Sequence, residues 1–211
     1  MQNIIKPKPA CPVKALILDD DDMTRKFICH LLEDALKGCA LEIAESENGD
    51  DAIGKLKAGS FDLFMMDINH PGPRANEILS GTINQLAQKP LVVIISGSLK
   101  DTDRSGPEWR LCFAQLAKPW DNKAMGQTLK DVASVLKNKP FILCSKHGLP
   151  LIKKPILYGL PMEGMDFSDV ILGGCCMGEY GRFGYQCPVD GEAFIRDEKG
   201  GMKKMYEEEE E

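Results

Sequence analysis

The chain has 211 residues, with 43% hydrophobic and 27% charged side chains and a net charge of −6. That length suits one full domain plus a smaller appendage, and the acidic balance argues against electrostatic binding of nucleic acid. No apolar stretch approaches the roughly 20 residues that span a bilayer, and the start, MQNIIKPKPACP, has no apolar core of signal-peptide length, so a cytoplasmic location with no membrane partner is expected.

Residues 1–13 hold three prolines and no periodicity and read as a loose lead-in. A first strand is expected over 14–18, ending on the acidic run Asp19–Asp22. Asp21 or Asp22 can cap the helix that follows, which places Phe27, Ile28, Leu31, Leu32 and Leu36 on one face. Leu41 and Ile43 alternate with polar neighbours in a second strand, and Asn48-Gly49 turns into a helix carrying Ala52, Ile53 and Leu56 that stops near Gly59. Apolar runs at 61–66, 91–95 and 112–116 read as three further strands buried on both faces. A helix is expected over 78–87 between the third and fourth strands. The polar stretch 99–109, with Ser105-Gly106-Pro107 inside it, leaves room only for a short or irregular helix before the fifth strand. Asp121 is placed to cap a last helix whose Met125, Leu129, Val132, Val135 and Leu136 point inward.

This alternation predicts a doubly wound α/β domain with a five-stranded parallel sheet over residues 14–138. In such sheets the chemistry collects outside the carboxyl ends of the strands. That edge gathers Asp19, Asp20, Asp67, Ser96 and Lys118. Three carboxylates, a hydroxyl and an ammonium suit a divalent cation and a phosphoryl group.

Residues 14–138 thereby resemble the receiver domain of two-component response regulators, on the strength of the Asp19-Asp20 pair, Asp67, Ser96 and Lys118-Pro119, each at a strand end and in order. The resemblance implies that Asp67 accepts a phosphoryl group from a histidine kinase or phosphotransfer protein. It also implies that Asp19, Asp20, Asp67 and the backbone carbonyl of Asn69 serve a Mg²⁺ ion, with Asp19 acting through a bound water, and that Lys118 and Ser96 meet the phosphoryl oxygens. The chain would be a phosphoryl-accepting signalling protein rather than an enzyme, with a protein-interaction output and a homodimer left open. Three departures stand out: Ser96 in place of the commoner threonine, Gln115 where the family carries an aromatic ring, and two prolines in the loop after Asp67. Gln115 and that loop keep a second reading open, a pseudo-receiver that binds partners without phosphorylation. A rival resemblance is to haloacid-dehalogenase-like phosphatases, whose DxDxT pattern is met by Asp20, Asp22 and Thr24. It leaves Asp67 without a role and lacks the later acidic motif. His30 and His70 read as structural or surface residues.

After the linker at 138–140, glycine, proline and cysteine rise and helical periodicity ends. Of the eight cysteines, Cys11, Cys29, Cys39 and Cys112 are scattered and read as free thiols, whereas Cys144, Cys175, Cys176 and Cys187 crowd the last third. Cys144-Ser-Lys-His147-Gly148 and Cys187-Pro-Val-Asp190-Gly191 repeat one design, a ligand pair at i and i+3 followed by glycine. With the intervening 158–161 and 172–176 segments they resemble a small β-rich zinc-ribbon-like module over 140–196. That resemblance implies a Zn²⁺ held by Cys144, His147, Cys187 and Asp190, with Cys175 as an alternative to Asp190; a metal-free ribbon is the competing reading. Residues 197–211, ending in five glutamates, are expected to form a solvated, disordered acidic tail.

Overall fold

A computed structural model describes residues 12–99, 106–137, 141–159, 166–173, 182–197 and 201–205. The chain divides into two compact units, Met1–Asp121 and Asn122–Glu211.

In the first unit the elements run β1 (Val13–Leu18), α1 (Asp22–Ala35), β2 (Leu41–Ser46), α2 (Gly49–Ala58), β3 (Leu63–Met66), α3 (Ala75–Gly81), β4 (Leu91–Ser96) and β5 (Cys112–Ala117). Two short 3-10 turns, Ile83–Gln85 and Pro107–Leu111, precede β4 and β5. The five strands form one parallel sheet in the order β2-β1-β3-β4-β5. Every residue of β3 and β4 is buried, as parallel strands covered on both faces require. One core, with Leu16, Phe64, Met66, Val92 and Ile94 from the sheet, also takes in Leu56, Ile78, Leu79 and Trp109. Burying such side chains stabilises the fold by about 1.5–3 kcal/mol each. β5 carries a bulge: Val92 faces Cys112 but Val93 faces Ala114.

The cap of α1 is Asp21, whose carboxylate accepts from the Met23 and Thr24 amides, while Asp22 enters the first turn. Asn48 caps α2 through the Asp51 amide. Two expectations need correction. The third helix starts at Ala75, not 78, because the Glu77 carboxylate accepts the Arg74 amide at 2.9 Å and closes the first turn early; the expected continuation to 87 is a separate 3-10 turn. Phe27, assigned to the inner face of α1, is exposed and stacks on Trp120, ring centroids 5.8 Å apart. As expected for the stretch after 99, its described residues hold only a short 3-10 turn, Pro107–Leu111; 100–105 lie outside them.

The second unit begins with α4 (Asn122–Lys137), followed by β6 (Ile152–Leu157), β7 (Ile171–Leu172), β8 (Phe183–Gln186), β9 (Ala193–Arg196) and β10 (Met202–Lys204). Their sheet runs β10-β9-β8-β6-β7, antiparallel except for the β6–β7 pair. As expected, Met125, Leu129, Val132, Val135 and Leu136 are buried. α4 packs on β6, where the Ser134 hydroxyl donates to the Lys153 carbonyl at 2.9 Å and Lys130 pairs with Asp169 at 2.6 Å. The two compact units divide between Asp121 and Asn122, and the sequence reading ends its receiver-like domain after α4, at 138. Part of the presumed tail is also ordered: β10 pairs with β9, Lys203 opposite Ile195, and Met205 is buried. Of the lead-in, residues 1–11 lie outside the described residues, and Val13, counted with it, already opens β1; the linker, Cys175, Cys176, 160–161 and the glutamate run also lie outside them.

Candidate functional site

Backbone hydrogen bonds carry the parallel sheet one residue past its strands and so fix the site. The Asp19 amide donates to the Ser46 carbonyl at 3.1 Å, that of Asp67 to Leu18 at 2.8 Å, and that of Lys118 to Ser96 at 2.8 Å. Asp19 follows β1, Asp67 follows β3, Ser96 ends β4 and Lys118 follows β5. They meet because β2 and β3 flank β1 on opposite sides, which opens a crevice at the carboxyl ends of β1 and β3.

Lys118 stands at the centre of this crevice. Its Nζ donates to Asp19 Oδ2 and to Asp67 Oδ2, both at 2.6 Å. Both carboxylates are buried, Asp19 at 1% and Asp67 at 6% exposure. Burial pulls the lysine pKa down, but the hydrogen bonds to Asp19 and then Asp67 outweigh it and hold the ammonium above its ordinary value. The remaining carboxylate oxygens are also engaged: Asp19 Oδ1 accepts the Asp21 amide at 3.0 Å and Asp67 Oδ1 the Asn69 amide at 2.9 Å. Carboxylate oxygens of Asp19, Asp20 and Asp67 all lie within 4.8 Å of one another, with Asp20 exposed. An all-oxygen set of this kind suits a hard cation such as Mg²⁺.

Ser96 is fully buried, and its Oγ accepts the Ser98 amide at 3.2 Å; the Ser98 hydroxyl donates to Asn69 Oδ1 at 2.9 Å. The loop after β4 is thus tied to the loop after β3. The structure brings Asp19, Asp20, Asp67, Asn69, Ser96 and Lys118 to one edge of the sheet.

Ser98, Arg25 and Trp120 were not singled out from the sequence. Arg25 donates to the Asp19 carbonyl at 2.9 Å and pairs with Asp22 and Glu45, both at 3.1 Å, which braces the loop after β1. Trp120 lies beside the lysine, whose Nζ is 5.9 Å from the ring centroid. An aromatic two residues past Lys118 was a usable signal; an arginine on a helix was not. His30 is exposed beside Asp34, and His70 Nδ1 meets the Pro71 carbonyl at 3.1 Å.

The phosphatase pattern does not assemble here. Asp22 pairs with Lys26 at 2.6 Å, Thr24 Oγ1 donates to Asp21 at 2.6 Å, and the contacts of Lys118 are with Asp19 and Asp67 rather than Asp20.

The second unit holds another cluster. Cys144, His147 and Cys187 each place a ligand atom within 4.8 Å of the other two. His147 Nδ1 is 3.6 Å from Cys144 Sγ and 3.3 Å from Cys187 Sγ. Burial pushes the Cys187 thiol up to about 11. Asp190, expected as an equal fourth member, stands at the rim: its Oδ2 is 3.7 Å from His147 Nδ1 and accepts Lys146 Nζ at 2.9 Å. Hydrogen bonding from Lys146 and from the Glu192 amide holds its carboxyl well below the usual range. The described cysteines are free thiols.

No protein-family model matches the chain. It is 32% identical over 88 residues, 42% of its length, to "Sensory transduction protein LytR" of Staphylococcus epidermidis. It is also 32% identical over 88 residues to "Two-component response regulator-like PRR37" of Oryza sativa subsp. indica. The matched part spans only 34% of the first relative and 11% of the second. Among solved structures, the response regulatory domain of protein mrkE from Klebsiella pneumoniae matches with a TM-score of 0.50 and 22% identity, over 59% of this chain and 98% of that one. The N-terminal part of the chain therefore has the CheY-like fold of a response regulator receiver domain. Among the described residues, no helix is long and apolar enough to cross a membrane.

Proposed function

We infer that the first unit is a phosphoryl-accepting receiver of a two-component system, with Asp67 as acceptor. The observation that carries this reading is the Lys118 ammonium 2.6 Å from both Asp19 and Asp67, with Ser96 at the same sheet edge. A carboxylate oxygen of Asp67 attacks the phosphorus of a phosphohistidine on a kinase or phosphotransfer protein. The new oxygen–phosphorus bond forms as the phosphorus–nitrogen bond breaks, and the imidazole leaves with the electron pair and takes up a proton. Such transfer depends on positioning and on neutralising oxygen charge. Lys118 pairs with one phosphoryl oxygen, and the Ser96 hydroxyl turns from its local contacts to donate to another. Asp19, Asp20 and Asp67, with the Asn69 backbone carbonyl, would hold Mg²⁺, which supplies further neutralisation of phosphoryl charge.

Incubation with acetyl phosphate and Mg²⁺, read by intact mass, tests the reading. Wild type should gain one phosphoryl group and Asp67→Asn none; equal labelling of the variant would overturn the assignment. A pseudo-receiver that signals by binding alone is the second reading, favoured by Gln115, half-buried on β5 opposite Ile94 in the slot where an aromatic ring is expected. That reading gains if wild type takes up no phosphoryl group although its fold is intact. The output is proposed to be a protein partner.

A further inference from the structure

Two turns in the second unit, 40 residues apart across their facing side chains, have the same backbone plan. In each, the glycine amide donates back to the cysteine carbonyl: Gly148 to Cys144 at 2.7 Å and Gly191 to Cys187 at 3.0 Å. In each, the cysteine amide donates to the carbonyl just past the glycine, Cys144 to Leu149 at 2.8 Å and Cys187 to Glu192 at 2.9 Å. Both glycines are left-handed, φ +70° and +74°, where a side chain would be strained. These are paired knuckles, the repeated sequence design built alike in both places, and they bring Cys144, His147 and Cys187 to one point.

The distances at that point are those of a metal shell. Zinc bonds sulfur at about 2.3 Å and imidazole nitrogen at about 2.0–2.1 Å, so the S···N edge of a tetrahedron around it is about 3.5–3.6 Å. The two observed edges are 3.6 and 3.3 Å. Hydrogen bonding would make both sulfurs share the single in-plane hydrogen or lone pair of Nδ1. A cation between the three atoms accounts for both. Two thiols and one imidazole are donors that select zinc over magnesium or calcium. The Val189 amide, 3.5 Å from Cys187 Sγ, adds an outer donor of the kind that steadies metal-bound sulfur.

We propose that the second unit binds one Zn²⁺ through Cys144 Sγ, His147 Nδ1 and Cys187 Sγ, with Asp190 as a weaker, replaceable fourth ligand. The ranking of ligands comes from geometry. Cys144 and Cys187 are buried, whereas Asp190 shares its Oδ2 with Lys146 and must loosen that contact to approach the ion. The ion would join the turn before β6 to the β8–β9 turn, which sequence-local contacts do not join.

The test uses the full chain, freed of metal by chelation and titrated with Zn²⁺ against a chromophoric chelator. One zinc per chain is expected. Cys144→Ser and Cys187→Ser should weaken binding by about 100-fold or more, and Asp190→Asn by about tenfold. Because the cysteine variants could misfold, wild type is also alkylated with and without Zn²⁺ and its peptides read by mass spectrometry. Zinc should protect Cys144 and Cys187 and leave Cys29 and Cys39 unchanged. Failure of wild type to take up stoichiometric zinc, equal protection of all four thiols, or a loss in Asp190→Asn as large as in Cys144→Ser would each overturn the proposal.

Discussion

Replacing Lys118 with methionine keeps the stem of the side chain and removes the cation that, among the described residues, touches both Asp19 and Asp67. Side-chain exposures are 1% for Asp19, 8% for Asp67 and 23% for Lys118, so two buried carboxylates would lose their counter-charge. Removing one partner of a buried pair costs about 3–5 kcal/mol, and water reaching the partly open lysine position moves the expectation to about 3 kcal/mol. With a urea dependence of about 2 kcal/mol per molar, the midpoint should fall by about 1.5 M. The chain has two tryptophans, Trp109 and Trp120, both in the first unit, so their fluorescence reports that unit without contribution from the second. Lys26→Met is the control, since its pair with Asp22 is exposed and solvent-screened and the urea midpoint should not move measurably. The pH dependence has a definite sign. The folded-state pKa of Lys118 is raised, so its contribution is fully present below the unfolded lysine value and is lost as pH rises through the folded one. The gap between wild type and Lys118→Met should therefore close at alkaline pH, above the ordinary value of 10.5. A loss below about 1 kcal/mol in Mg²⁺-free buffer near neutral pH would refute the electrostatic account of the crevice.

Other consequences are equally direct. Asp21→Ala removes the cap of α1 and should cost about 1 kcal/mol in the same urea assay. A double-mutant cycle on Phe27 and Trp120 should return a coupling of about 0.5–1.5 kcal/mol, and a coupling near zero would show that the stacked pair does not persist in solution. Ser96→Ala should slow phosphorylation by acetyl phosphate by about 10-fold or more, as loss of one oxyanion-type donor does, while leaving Asp67 as the labelled residue. With Gln115 in place of an aromatic ring, beryllofluoride should change amide exchange around β4 and β5 only modestly; large protection there would identify another residue as the switch.

The candidate site in the first unit was legible because strands covered on both faces read as unbroken apolar runs. The residue that ends each run, Asp19, Asp67, Ser96 or Lys118, marks the sheet edge without any tertiary information. What the sequence left open was whether Asp21 or Asp22 caps α1 and which carboxylates Lys118 would meet. The fold shows that Asp21 is the cap and that Lys118 pairs with Asp19 and Asp67. Phe27 misled because helical spacing identifies a face but not what covers it. The start of α3 was hidden because its first turn is closed by Glu77 reaching back to the Arg74 amide, a contact made before the first large apolar residue. β10 was illegible for a related reason: residues 202–204 join a sheet through partners distant in sequence. The two knuckles and the pairing of His147 with Cys187 could be read from the repeated design, but not that Lys146 draws Asp190 to the rim.

The most direct test of the central claim is to locate the acyl phosphate itself. Wild type phosphorylated with acetyl phosphate and Mg²⁺ is reduced with borohydride, which converts an aspartyl phosphate to homoserine, and the digested chain is sequenced by tandem mass spectrometry. The account predicts homoserine at position 67 alone. Homoserine at position 20, or at no position in a protein whose tryptophan fluorescence shows an intact first unit, would contradict it.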